Sequence, residues 1–389
     1  MKVLILHQHF KTPQTGGAIR SWYLAKGLLE HGHIPVVITS HNEREYFHTT
    51  VDGIEVHYLP VAYDNSFDYY KRSVSFIRFV IRSIQVAARI NDVDRIYAIS
   101  VPLTIAFVAR WTSFRKRIPY IFEVGDLWPD APIEMGFIRN PLMKSMLFSL
   151  ERTAYRKAEA VVALSEPIRD SIRKKVPEAT VTTIPNMADC EFYKPGQKDR
   201  DIEMKFGVQE KFVVSYIGAT GLANGLDYFL ECANVARKAA LPVHFIMCGT
   251  GALLERLKGS AKQLGLQNIT FTGFVDREGV RGILNITDAV FVCYKDVPVL
   301  ETGSPNKFFD GLAAGKLIVI NFGGWIKREI EQHHCGVMIS KSDPTDFIRK
   351  IRTFISDPEL LKEYQAAART LAEHKYDRKK LVREWLKVF

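Results

Sequence analysis

Asp288-Ala-Val-Phe-Val-Cys-Tyr294 is a short apolar run, and shortly beyond it comes Glu301-Thr-Gly-Ser-Pro-Asn-Lys-Phe-Phe-Asp-Gly-Leu-Ala-Ala-Gly-Lys316. The first piece has the length and the aromatic and β-branched content of a buried parallel strand. The second opens like a helix, with Ser304 suited to the N-cap and Pro305 to the first helical position. A parallel strand leading into a helix is half of a doubly wound α/β unit, and such units bind ligands beyond the carboxyl ends of their strands. The free N–H groups of the first helical turn face an anion well, and Lys307 adds a full positive charge there. Asn306, Lys307 and Asp310 fall on one helix face. At ~1.5 Å rise per residue, Asp310 stands roughly 7 Å along the axis from Pro305, about the separation of diphosphate and ribose in a nucleotide sugar. An ordinary capped helix with a solvated Lys and Asp is the competing reading.

Working outward, the strand–loop–helix pattern occurs in two runs. The first begins with a strand Val3 to His7, a loop holding Gly16-Gly17, a helix from Ala18 to His31 and a strand Ile34 to Thr39. Apolar runs at Arg95 to Ile99, Pro119 to Val124 and Ala160 to Leu164 continue it. The pattern breaks near Ile184-Pro-Asn-Met-Ala-Asp189, and the charged stretch Tyr193 to Glu210, with Pro195-Gly196, reads as a connection between domains. A second run starts at Lys211 to Ile217, followed by the glycine loop Gly218-Ala-Thr-Gly221 to Asn224-Gly225 and a helix to about Ala239. Val243 to Met247 with Gly249-Thr-Gly251, Asn268 to Gly273, the opening strand and Leu317 to Ile320 complete it. The expected architecture is α/β, two doubly wound Rossmann-like domains facing each other across a cleft. Residues 1–189 form the first domain, 190–370 the second, and a last helix in 371–389 returns to the first.

Composition agrees with a large two-domain enzyme: 389 residues, 47% hydrophobic and 25% charged. Five cysteines with no close pair point to neither a zinc site nor a disulfide framework, as in a reducing cytoplasm. The N-terminal apolar run is too short for a signal peptide, and Tyr97 to Ala109 is interrupted by Pro102, so no membrane span is expected. The formal charge of +10 invites a nucleic-acid partner, yet no zinc-finger, RRM or Gly-Lys-Ser phosphate-loop pattern supports one. An anionic substrate or an anionic lipid surface explains the charge as well.

Several motifs in order resemble the retaining glycosyltransferases of family four, which have the GT-B fold. They are Gly16-Gly17, the Leu24 to His33 run, Asp126-Leu-Trp-Pro129, Ile184-Pro-Asn186, the Gly218 loop, Gly249-Thr-Gly251 and Ser304-Pro-Asn-Lys307 through Gly315-Lys316. The resemblance covers nearly the whole chain and is strongest to the branch that builds bacterial surface polysaccharides, close to the amino-sugar transferases of O-antigen assembly. It implies a nucleotide-sugar donor, UDP-linked by preference, held by the second domain. It implies a glycan or polyprenyl-diphosphate-linked acceptor at the first, and no cofactor or metal. Asp310 stands where the family binds the ribose hydroxyls, with Asp in place of the usual Glu. The family's first Glu falls at Thr302, with Glu301 one residue earlier, so either Glu301 on a shifted loop or Thr302 with backbone N–H groups contacts the sugar. The family's diphosphate-binding Arg and Lys fall near Ala219 and Asn224, and both charges are missing. The phosphates then rely on Lys307, the N–H groups of Gly218, Thr220 and Gly221, and helix N-termini; Asn224, Gly249, Gly251, Gly303, Ser304, Pro305 and Asn306 complete the expected donor site.

Many relatives carry a His at the position of Gly125, so here the side chain facing the anomeric carbon falls to Asp126, with Glu123 nearby. Asp126 either orients the acceptor hydroxyl and stabilises an oxocarbenium ion, or caps the turn at Leu127. Lys307, Asp126 and Glu123 are the expected catalytic groups, and Gly16, Gly17, His9 and Arg20 the expected acceptor contacts. A UDP-sugar epimerase or hydrolase, or a non-catalytic nucleotide-binding scaffold, are the alternatives on this fold. Asp92-Val-Asp94 precedes a strand rather than following one, unlike a metal-binding Asp-x-Asp, and the histidines show no zinc signature.

The region Ser66 to Arg117 carries ten Lys or Arg against three Asp, a net +7. Within it Phe67, Tyr70, Val74, Ile77, Ile81, Ile84 and Ala88 form a helical stripe expected to dock on the first domain. Phe76 and Phe79 are expected on the outer face with Lys71, Arg72, Arg78 and Arg82, suited to an anionic membrane on its cytoplasmic side.

Overall fold

The computed structural model describes every residue except 18, 65, 66 and 68, so the expected helix start at Ala18 and the Ser66 end of the basic segment lie outside the described residues. In the first half, strands β1 (Lys2–Leu6), β2 (Ile34–His41), β3 (Phe47–Val51), β4 (Ile54–Pro60), β5 (Arg95–Ser100), β6 (Tyr120–Val124), β7 (Ala160–Ala163) and β8 (Val181–Thr183) form one sheet. Its order is β3-β4-β2-β1-β5-β6-β7-β8. All neighbours are parallel except β3, which pairs antiparallel with β4 through the left-handed turn at Asp52-Gly53. Sequence periodicity missed this hairpin. Its outer strand is mostly exposed polar sequence, Phe-His-Thr-Thr-Val, with no buried face to mark it.

Helices α1 (Arg20–Glu30), α2 (Tyr69–Arg89), α3 (Ile105–Lys116), α4 (Asp130–Glu134), α5 (Pro141–Lys157) and α6 (Glu166–Lys175) connect these strands. The second half begins with a short helix α7 (Arg200–Phe206), capped by Asp199, inside the stretch expected to be pure connection. Strands β9 (Phe212–Ile217), β10 (Val243–Cys248), β11 (Ile269–Gly273), β12 (Ala289–Val292), β13 (Leu317–Ile320) and β14 (Gly336–Met338) then form an all-parallel sheet ordered β11-β10-β9-β12-β13-β14. Its helices are α8 (Leu226–Lys238), α9 (Leu254–Gln263), α10 (Arg277–Ile286), α11 (Asn306–Ala313), α12 (Gly324–Gln332), α13 (Thr345–Ser356) and α14 (Pro358–Leu371). The fold is therefore the doubly wound pair of Rossmann-like domains that the sequence pattern implies.

Strand order reverses beside β1 and β5 in one sheet and beside β9 and β12 in the other, and the loops at these reversals face one another. The last helix, α15 (Arg378–Leu386), crosses back and packs on α1. Trp385 is fully buried there, edge-on to Tyr97 with ring centroids 4.9 Å apart. Gly27 permits this docking, since a Cβ added there would lie 2.3 Å from Val382 Cγ1.

Helix α2 reverses the sequence expectation. Phe76 and Phe79 are buried, together with Ser75, Ser83, Ala87 and Ile90, whereas Tyr70, Ile77 and Ile81 are exposed. The helix carries two apolar stripes at helical spacing, so periodicity alone cannot choose between them. The inner one bears small residues that let the helix approach the sheet closely and two Phe that bury more area than the Ile of the outer stripe. The outer stripe is flanked by exposed Arg78 and Arg82.

Candidate active site

The facing loops enclose a cleft of about 800 Å³. On its second-domain wall the loops after β9 and β10 meet backbone to backbone. A Cβ at Gly249 (φ +133°) would sit 2.0 Å from the Gly218 carbonyl oxygen, and one at Gly251 would sit 2.9 Å from that of Thr220. Glycine is required at both places by contact as well as by conformation. Gly218, Asn224 and Gly249 line the cleft. Thr220 is fully buried, and neither it, Gly221 nor Gly251 is part of the lining. These three residues shape the wall from behind.

Helix α11 starts one residue later than the sequence implies. Pro305 occupies the N-cap position without a side-chain capping bond, and Asn306 begins the helix. The Ser304 hydroxyl instead accepts the Asn186 N–H at 3.1 Å, and the Ser304 carbonyl accepts from the Asn186 side chain at 2.5 Å. Ser304 thus ties the two domains together, and the first turn of α11 presents its N–H groups to the cleft side uncapped by any described side chain. Ser304, Pro305, Asn306, Lys307 and Asp310 all line the cleft. Lys307 reaches back under the Gly218 loop, its Nζ donating to Asn224 Oδ1 at 3.3 Å and standing 4.8 Å from the Tyr216 ring centre. Burial lowers its pKa to about 8. Asp310, one helical turn on, is pushed up to about 7 by burial, with Asp189 adding to the rise and Arg277 and Lys307 opposing it.

Across the cleft stand Gly16, Gly17, His7 and Asp126. Asp126 is open to the cleft water but has protein around it, and this partial desolvation raises its pKa above the usual carboxylate value. A Cβ added at Gly303 would lie 3.8 Å from Asp126 Oδ1, so the carboxylate approaches the opposite wall directly. It does not cap the following helix, whose N-cap position is Pro129.

Five expected residues are placed differently. Glu123 and Arg20 border the cleft but are spent on each other: the guanidinium donates to both carboxylate oxygens at 3.0 Å, and Tyr97 donates to Glu123 as well. Arg20 also donates to the carbonyls of Pro185 (2.6 Å) and Ile184 (3.1 Å). With Glu123 1% exposed and fully partnered, the pair fastens the chain crossing between the domains rather than offering a free acid or an acceptor contact. Thr302 turns its hydroxyl to the Val299 carbonyl, and its own carbonyl accepts from Ser165 at 2.6 Å. Glu301 accepts the Gly323 N–H at 3.2 Å and Lys341 Nζ at 2.8 Å, and neither it nor Thr302 lines the cleft. His9 packs behind the wall against Tyr63, with ring centroids 4.4 Å apart. His7 lines the cleft in its place, bonded to Ser21 at 2.8 Å, and burial beside His9 lowers its pKa to about 3.

Sequence reading missed Arg277. It opens α10 at the carboxyl end of β11, behind the Asp276 cap, and its guanidinium stacks 3.7 Å from the Phe192 ring centre. It pairs with Asp189 and donates to the Tyr23 hydroxyl at 2.6 Å, joining the second domain to the first. Its position at a strand end, just after a capping Asp, was the available signal. Among the described residues no three His, Cys, Asp or Glu side chains gather as a metal site.

Comparison with known proteins places this architecture. The pattern of the "Glycosyl transferase 4-like domain" matches residues 15–187, and that of "Glycosyl transferases group 1" matches residues 198–371. Alpha-D-kanosaminyltransferase of Streptomyces kanamyceticus is 23% identical over 236 residues, 58% of each chain, so the match spans little more than half of that relative. A candidate colanic acid biosynthesis glycosyl transferase of Escherichia coli is 22% identical over 301 residues, 75% of this chain and 73% of that protein. Among solved structures, sucrose-phosphate synthase of Thermosynechococcus elongatus superposes with a TM-score of 0.77 at 13% identity, covering 100% of this chain and 98% of that one. Anabaena HepE in complex with UDP-glucose superposes at 0.73 with 19% identity over 100% of both chains. At these identities the structural matches speak for the fold.

Proposed function

The chain belongs to the GT-B glycosyltransferases built from a glycosyl transferase 4-like and a group 1 domain, and from that premise we propose that it moves a sugar from a UDP-linked donor to a hydroxyl of a lipid-linked glycan, with retention of configuration, in surface polysaccharide synthesis. The observation that carries this reading is the cleft itself. Lys307, Asp310 and the open turn of α11 lie on one wall, and Asp126 reaches out from the other. The HepE complex with UDP-glucose supports the choice of donor, and the relative named for colanic acid biosynthesis supports a role in polysaccharide synthesis.

In this mechanism the ribose hydroxyls donate to Asp310 as carboxylate, and the diphosphate sits between the Gly218 loop and the first turn of α11. An anion there favours the charged form of Lys307, raising its pKa from about 8 and committing the ammonium to the leaving group. As the glycosidic bond breaks, negative charge grows on the diphosphate, and Lys307 with the helix N–H groups stabilises it more than the ground state. Asp126 orients the acceptor hydroxyl, whose proton passes to the departing phosphate oxygen on the same face. These groups supply the positive potential the reaction needs, so turnover is independent of a divalent metal.

We further propose that the protein works at the cytoplasmic face of an anionic membrane, where such acceptors reside. Among the described residues no helix is long and apolar enough to cross a membrane, so attachment would be peripheral. Thermal-shift screening of UDP- and GDP-sugars, followed by acceptor-dependent UDP release, tests the reading. UDP release that is indifferent to acceptor would reveal a hydrolase, and binding without turnover a scaffold.

A further inference from the structure

Helices α2, α3 and α5 lie side by side on one face of the first sheet, since α2 contacts α3, α3 contacts α5, and all three send side chains into the same core. Their outward faces carry an unusual set of large apolar groups. On α2 these are Tyr70, Ile77 and Ile81; on α3, Phe107, Trp111 and Phe114; on α5, Leu142, Met143 and Met146. Phe114 is 85% exposed and Tyr70 76%. The spacings on α3 and α2, three, four or seven residues, make continuous stripes rather than scattered single groups.

The charge on the same helices is basic apart from Glu151 of α5, which is fully buried and paired with Lys175. The segments 69–89, 105–117 and 141–150 contain ten Lys or Arg and no Asp or Glu. Exposed Arg78 and Arg82 border the α2 stripe, and exposed Arg115 and Arg117 flank Phe114 at the end of α3 around a shallow cavity lined by Ser113. A protein partner complementary to this face would need acidic and apolar groups over three helices, whereas an anionic bilayer presents both chemistries everywhere. A buried contact links this helix layer to the cleft wall. Phe76, on the inner side of α2, packs edge-on to Trp128 with ring centroids 6.2 Å apart, and Trp128 belongs to the turn that carries Asp126.

We propose that the α2–α3–α5 face is the surface that docks on an anionic lipid bilayer, its apolar stripes entering the acyl boundary and its arginines meeting lipid phosphates. This rests on the lipid-linked acceptor reading and names the part of the molecule that serves it: docking in this orientation sets the Asp126 turn beside the membrane, where a lipid-anchored acceptor hydroxyl can reach the cleft.

The test is flotation of the full chain with phosphatidylcholine vesicles and with vesicles containing phosphatidylglycerol, at low and high salt. Variants are Ile77→Asp/Ile81→Asp, Phe114→Asp and Arg78→Glu/Arg82→Glu, all at exposed positions. UDP-glucose affinity and melting temperature in solution check each variant's fold and, separately, the donor reading. The expected result is salt-sensitive binding of the wild type to anionic vesicles, with partitioning reduced about tenfold or more in each variant and UDP-glucose affinity unchanged. Failure of the wild type to bind anionic vesicles overturns the proposal, as does equal binding by all variants. A dimer in light scattering that Phe114→Asp dissociates, without vesicle binding, reassigns the face to self-association.

Discussion

Donor affinity should follow a bell-shaped pH profile set by Asp310 and Lys307, because binding needs the first ionised and the second protonated. Free-enzyme pKa values of about 7 and about 8 leave about 60% of molecules in that state at pH 7.5 and about 9% at either pH 6 or pH 9. The dissociation constant should therefore weaken about sixfold in each direction. The two groups are neighbours, so the limbs report the pair's apparent values rather than those of either residue alone. Isothermal titration calorimetry with UDP-glucose measures the acid limb cleanly, since its diphosphate diester has no group titrating there, whereas the terminal phosphate of UDP titrates near ~6. Asp310→Asn should abolish the acid limb and cost about 1.5–3 kcal/mol at pH 8, roughly 10–150-fold in affinity, the range for a hydrogen bond to a charged group.

Stability should move with the opposite sign. The folded pKa of Asp310 lies above its ordinary 3.8, so the folded chain holds the proton more tightly. The unliganded protein loses stability as pH rises from about 4 through about 7, and Asp310→Asn should melt higher than the wild type at pH 8. A wild-type affinity flat from pH 6 to 9, or an Asn variant binding as tightly as wild type at pH 8, would refute the assignment of Asp310 to the donor.

Lys307→Ala should lower kcat by about 10²–10³ while weakening nucleoside binding far less, as measured by single-turnover kinetics beside calorimetry with uridine. Activity should survive EDTA, and its loss with restoration by Mn²⁺ or Mg²⁺ would overturn the metal-independent mechanism. Glu123→Gln leaves the Arg20 charge poorly compensated among buried groups and should destabilise the fold by about 3 kcal/mol, seen as a lower calorimetric melting temperature. Gly249→Ala drives a Cβ into the Gly218 carbonyl and should remove UDP-glucose binding with a drop in melting temperature, so unaltered binding would show that the loops rearrange freely.

What the sequence made legible was whatever depends on local pattern. The strand Ala289–Val292, the helix after it and the glycine loops after β9 and β10 are set by burial on two faces and by positive-φ turns, and each appears close to where the residues imply. What it hid depends on a choice among equivalent local options that only tertiary packing makes. Ser304 has a capping side chain, but Asn186, far away in sequence, offers its hydroxyl a partner across the domain boundary, and the helix starts at Asn306 instead. Glu123 sits beside a cleft, as a catalytic acid would, and only the three-dimensional meeting with Arg20 and Tyr97 occupies it. On α2, the apolar stripe that includes Tyr70, Ile77 and Ile81 lost the core to one containing two Phe and two Ser, with only its Ile84 end packing inward. The apolar residues left outside by that outcome lie next to arginines on three neighbouring helices. Whichever stripe is buried, a basic-apolar surface is left outside, here with Ile77 and Ile81 in place of the expected Phe76 and Phe79. A surface that keeps its chemistry under either assignment is set by composition across the three helices, which is why flotation of the α3 variant Phe114→Asp, remote in sequence from the α2 choice, is the more decisive measurement.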